Sequence, residues 1–93
     1  MIKSFADKET EKIYRRNYSK KIPEDIHRRA YRKLLQVDLM DVLEELRSPP
    51  GNRLEKLKGD REGQHSIRIN QQWRICFEWK DGDAYEVEIA DYH

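Results

Sequence analysis

Residues 66–79, SIRINQQWRICFEW, constrain this chain more than any other stretch. Apolar residues occupy the odd positions Ile67 and Ile69 and, past a break at Asn70–Gln72, Trp73, Ile75, Phe77 and Trp79. The even positions hold Ser66, Arg68, Arg74, Cys76 and Glu78. A two-residue period marks a half-buried strand, because successive side chains leave opposite faces of the pleated backbone. Two such strands around a polar turn predict an antiparallel pair. One face builds a core; the other presents two in-phase guanidinium groups, Arg68 and Arg74.

The flanking residues extend this sheet. Asp81-Gly82 is a strong two-residue hairpin signal. The strand that follows, over 84–90, turns Tyr85, Val87 and Ile89 to one side and Glu86 and Glu88 to the other. Upstream, Arg53–Leu57 is an edge strand or a loop, followed by a polar turn with two glycines, Lys58–Gly63.

The N-terminal half reads differently. Ile2–Phe5 alternates and predicts a short first strand. Asp7 is placed to cap a helix over Lys8–Arg16, with acids in its first turn and arginines in its last, matching the helix dipole. Residues 12–21 carry five basic groups, two tyrosines and no acid, a composition that also suits RNA contact. Pro23 begins a second helix whose stripe is Ile22, Ile26, Ala30, Leu34 and Val37. Asp38 is expected to cap a third, short helix with Leu39, Val42, Leu43 and Leu46 inward. Ser48-Pro-Pro-Gly-Asn52 ends the helical half. The predicted order is therefore a strand, two or three helices and an antiparallel meander of three or four strands. That is an α+β, two-layer domain, in which Trp73, Ile75 and Phe77 pack against Ile26, Leu34, Leu39 and Leu43.

The 93 residues suit one domain over 1–93. Cys76 is the only cysteine, which excludes an internal disulfide, and between Ile75 and Phe77 it reads as a packed small residue. No apolar run approaches the ~20 residues of a membrane span and no signal segment opens the chain, so the cytoplasm is expected. The net charge of +1 conceals segregation: +2 over 1–46, +4 over 47–74 and −5 over 75–93. One face can therefore meet a polyanion.

No metal-ligand spacing, cofactor loop or CxxC pair occurs, so neither a metal nor a cofactor is expected. A phosphodiester site fits the residues better. Metal-free RNA cleavage needs a base for the 2′-hydroxyl, cations for the phosphorane and an acid for the leaving 5′-oxygen. Arg68 and Arg74 offer rigid forks for phosphate. Lys58 precedes them, and Asp91, Tyr92 and His93 supply acid–base groups.

The opening MIKSF, the run RSPPGNRLEKLKGDREGQHSIRINQQWRICFEW and the closing DYH resemble the HigB toxins, the plasmid-maintenance killer proteins of the RelE superfamily. The resemblance covers nearly the whole chain, and its helical part matches in pattern only. It implies a type II toxin: an endoribonuclease that cuts mRNA in the A site of the 70S ribosome. It also implies a HigA-like helix-turn-helix antitoxin that carries the pair to operator DNA. Lys58 and Arg74 would hold the scissile phosphate. Tyr92 and His93 would stack on or orient the nucleotide, with His93 the better acid–base group and Asp91 tuning it. The expected RNA contacts are Arg68, Gln72, Lys56 and Arg61. The reading from another class is a RelE-like module that binds antitoxin or RNA without cutting.

Overall fold

The computed structural model describes residues 1–91. Its four strands, β1 (Glu55–Lys56), β2 (Gln64–Arg68), β3 (Trp73–Lys80) and β4 (Asp83–Asp91), form one antiparallel sheet in chain order. Two α-helices, α1 (Lys8–Tyr14) and α2 (His27–Leu39), cover one face. This is the two-layer α+β architecture that the alternation predicts. Ile67 stands opposite Ile75, and Ile75 opposite Ile89. With Phe77 and Val87 they close on Ile26, Ala30, Leu34 and Val37 of the second helical stretch, all buried. Trp73 lies half-buried at the margin of this core.

The β2–β3 turn is closed by Asn70, whose Oδ1 accepts from the backbone N–H of Gln72 at 2.8 Å and of Trp73 at 2.7 Å. At the β3–β4 turn Asp81 and Gly82 take φ of 53° and 82°, the positive pair that a type I′ hairpin requires. Beyond Tyr85 the register slips by one: Cys76 pairs with Glu88 but Glu78 pairs with Tyr85. Glu86, at φ 52°, is the extra residue of this bulge. The slip overturns part of the expected alternation. Tyr85 shares its face with Glu78, while Val87 and Ile89 remain with the core.

The first residues do not form a full strand. They make two parallel bridges to β4, Ile2 with Ala84 and Phe5 with Val87, and Thr10 Oγ1 then accepts from Ile89 N–H at 2.8 Å. The outer edge of β4 is thereby covered over much of its length. Asp7 caps α1 as expected, its Oδ1 accepting from Thr10 N–H at 2.6 Å. The helix stops at Tyr14, short of the expected Arg16. Arg16 N–H donates to the carbonyl of Ile13 and Asn17 N–H to that of Lys12, with Arg16 left-handed at φ 64°. This Schellman arrangement satisfies the last carbonyls before the basic loop.

The expected third helix is absent in that form. The second helix runs past Asp38 to Leu39, and residues Leu43–Arg47 form only a 3-10 helix. Asp38 caps nothing there; its Oδ1 accepts from Ile2 N–H at 2.8 Å, tying the first residues to the helical layer. Leu39 and Val42 are 68% and 54% exposed, so neither reaches Trp73 or the core, whereas Leu46 is buried. The turn that ends the helical half carries the buried Asn52. Its Nδ2 donates to Gln36 Oε1 and to the carbonyls of Leu46 and Ser48, and its Oδ1 accepts from Lys33 Nζ.

Candidate active site

The face of the sheet away from the helices is not the open surface that alternation suggests. Leu57, Cys76 and Ala90 form a second small apolar cluster there. Burial pushes the Cys76 thiol above its ordinary range, as suits a packed residue rather than a nucleophile. Between this cluster and the β2–β3 turn lies Arg74, whose side chain is also buried, with the residue only 8% exposed.

Arg74 is held from two sides. Its Nε donates to Ser66 Oγ at 2.7 Å, and its Nη2 donates to the Arg53 carbonyl at 2.6 Å and, more weakly, to the Ser66 carbonyl at 3.4 Å. Glu55 Oε1 stands 3.9 Å from Nη2. The strand pairing makes this possible. Ser66 is the register partner of both Glu55 and Cys76, so all three share the face of Arg74. Arg53 adopts a left-handed φ of 45° after the 3-10 turn Pro50–Asn52, as the chain enters β1 and its carbonyl meets the guanidinium. Among the described residues nothing accepts from Nη1. A guanidinium locked by two nitrogens and open at the third is pre-organised for an oxyanion.

The other predicted residues are placed unequally. Arg68 is the register partner of Arg74 and sits beside it, half-buried, its Nε donating to the Asn70 carbonyl at 3.0 Å. Gln72 and Asp91 meet at the same end of the sheet, where Gln72 Nε2 donates to both carboxylate oxygens at 3.1 and 3.2 Å. Asp91 is the register partner of Trp73, one residue from the pair Arg74–Ala90. Lys58 is exposed, just before the 3-10 turn Gly59–Arg61, and has no charged partner among the described residues. Lys56 pairs in register with His65, so it belongs to the opposite face of β1 from Glu55. Arg61 forms a forked ion pair with Glu88, at 3.0 and 3.3 Å, and also donates to Gln64. Tyr92 and His93 lie outside the described residues.

Sequence reasoning recognised Arg74 but missed what holds it. Ser66 read as one polar residue in an alternation, and the contribution of Arg53 is a backbone carbonyl, which no side-chain pattern reveals. Two further cations, Arg29 and Lys33 of α2, join Arg68 around a cleft beside the β2–β3 turn. The sequence places both only on the helix faces away from the apolar stripe.

Comparisons with known proteins agree with this fold. Residues 3–93 match the model of a family described as HigB-like toxin, the RelE-like toxin of the type II toxin-antitoxin system HigB. Endoribonuclease HigB of Proteus vulgaris is 36% identical over 93 residues, covering 100% of both chains. Toxin HigB-1 of Vibrio cholerae serotype O1 is 41% identical over 90 residues, covering 96% of this chain and 95% of that one. A chain of the YoeB-YefM complex from Staphylococcus aureus superposes with a TM-score of 0.57 at 18% identity, covering 100% of this chain and 98% of that one, a likeness of fold alone. Matched by the family model over residues 3–93 and by these relatives over 96% or more of its length, the chain belongs to the HigB-like toxin family.

Proposed function

We infer that this chain is the toxin of a type II toxin–antitoxin pair and that it is an endoribonuclease. The observation that carries the chemistry is the locked guanidinium of Arg74, with Nε and Nη2 engaged and Nη1 open. A group held this way needs no reorganisation when charge builds up on a phosphorane, which is where electrostatic catalysis gains most.

The finer reading is our own. The substrate is mRNA in the ribosomal A site. A base removes the 2′-hydroxyl proton, the 2′-oxygen bonds to phosphorus, and the bond to the 5′-oxygen breaks as an acid protonates it. The products are a 2′,3′-cyclic phosphate and a 5′-hydroxyl, with no net change in protons and no metal required. Arg74 and Lys58 stabilise the phosphorane. Tyr92 and His93 follow Asp91 directly in sequence; His93 serves as the acid–base group, Tyr92 stacks on the nucleotide, and Asp91 positions His93. Arg68, Gln72, Lys56 and Arg61 contact the strand. One domain carries all of this in the cytoplasm. Its partner is a HigA-like helix-turn-helix antitoxin, through which alone it reaches operator DNA.

The test is toe-printing on programmed 70S ribosomes with the parent, Arg74→Ala and Lys58→Ala. The parent should cut within the A-site codon and both variants should be at least about 100-fold slower. A parent that binds ribosomes without cutting would make the chain a binding module instead.

A further inference from the structure

The cleft beside the β2–β3 turn has a volume of about 330 Å³ and is lined by Arg29, Lys33, Gly51, Arg68, Asn70 and Gln71 among others. Three cations converge on it and no carboxylate lines it. Among the described residues none of Arg29, Lys33 and Arg68 has an acidic partner.

Each of the three is instead anchored by a neutral oxygen. Arg29 Nη1 donates to the Ile69 carbonyl at 3.4 Å, Arg68 Nε to the Asn70 carbonyl at 3.0 Å, and Lys33 Nζ to Asn52 Oδ1. These bonds fix the heads of the side chains without neutralising them. Like charges gathered in a partly desolvated cleft repel one another. Burial, and then the nearby Arg29, lower the pKa of Lys33. An anion in the cleft relieves this repulsion and restores each cation a partner. Arg68 also links the cleft to the site already described, because it is the register partner of Arg74.

We propose that Arg29, Lys33 and Arg68 form a second anion subsite that takes a phosphodiester of the RNA strand adjacent to the one held by Arg74. The proposal rests on the nuclease reading for the identity of the strand. Its role is to set the register of the strand over Arg74: a backbone contact positions without reading sequence. Arg29 and Lys33, one helical turn apart on α2, act as positioning residues.

The probe is a short 2′-O-methyl oligoribonucleotide, which binds but cannot be cut because it lacks the attacking hydroxyl. Its affinity is measured by fluorescence anisotropy across a series of salt concentrations. Each lost phosphate contact should lower the slope of log affinity against log salt by about 0.7. Arg29→Gln should show one such step and Arg29→Gln/Lys33→Gln two, with affinity falling accordingly. Arg29→Gln alone keeps the test valid if loss of Lys33 disturbs Asn52. Arg32→Gln, on the same helix but outside the cleft, should leave the slope alone. Unchanged slope and affinity in Arg29→Gln overturns the proposal, and so does an equal effect of Arg32→Gln, which would mean diffuse attraction. Cleavage by the parent on programmed ribosomes, run in parallel, separates the two ideas. Lost slope without any parental cutting sinks the nuclease reading and keeps the anion subsite; parental cutting with an unchanged slope sinks the subsite alone.

Discussion

Arg74 and Ser66 lie on neighbouring strands, and the serine hydroxyl accepts from the guanidinium Nε at 2.7 Å inside the sheet's second, covered face. The catalytic cation we propose is therefore also a structural one. Arg74→Ala should slow mRNA cleavage at least about 100-fold. It should also destabilise the fold by roughly 1–3 kcal/mol, because Ser66 and the Arg53 carbonyl lose their donor. Ser66→Ala separates the two effects. Its single-turnover rate should fall roughly tenfold as the fork loosens, while Ser66→Thr, which keeps the hydroxyl, should recover much of it. A parental rate in Ser66→Ala would show that the lock is irrelevant to the chemistry.

The core prediction contrasts two apolar residues. Phe77 is fully buried, its ring 6.2 Å from those of His65 and Trp79. Phe77→Ala should cost about 3–5 kcal/mol in denaturant unfolding. Leu39→Ala should stay within about 0.5 kcal/mol, because Leu39 is largely exposed. Equal losses would mean that the exposed end of α2 contributes packing that the fold does not show.

Asn52 should matter as much as a core residue. Its amide joins α2 at Gln36 and Lys33 to the carbonyls of Leu46 and Ser48. Asn52→Ala leaves the buried Leu46 carbonyl and the part-buried Ser48 carbonyl without this donor and should cost roughly 1–3 kcal/mol. Asn52→Asp should be no better, since a carboxylate cannot donate to those carbonyls. A loss below about 0.5 kcal/mol in both variants would reduce the network to a surface feature.

His65 predicts a pH dependence. Burial first, and then Lys56, lower its pKa below the ordinary 6.5, with Glu44 opposing. In the window just below pH 6.5 the unfolded chain holds the proton and the folded chain does not. Stability linked to this group is therefore complete above that pH and declines as pH falls through the window toward the folded pKa. Chemical denaturation at stepped pH should show the decline in the parent and a flatter curve in His65→Gln. An identical slope in the two proteins would assign the acid sensitivity elsewhere.

Local pattern determined much of this protein. The two-residue period of Ile67 to Trp79 specifies an antiparallel pair and its core face, because pleat geometry acts between neighbours along the chain. The Asp81-Gly82 turn, the Asp7 cap and the stripe from Ile26 to Val37 are legible for the same reason: each is satisfied within a few residues. The same alternation put Arg68 and Arg74 on one face, and the family resemblance then favoured Arg74 as a phosphate contact. Only tertiary structure decided that Arg74 is buried, since its partners Ser66 and Arg53 lie 8 and 21 residues away. Only it decided that Arg29 meets the β2–β3 turn 40 residues on, that Asp38 binds the first residues instead of capping a helix, and that a bulge at Glu86 turns Tyr85 to the other face. Periodicity assigns a residue to a face; what covers that face depends on which distant segments fold back over it, and no short-range pattern encodes that.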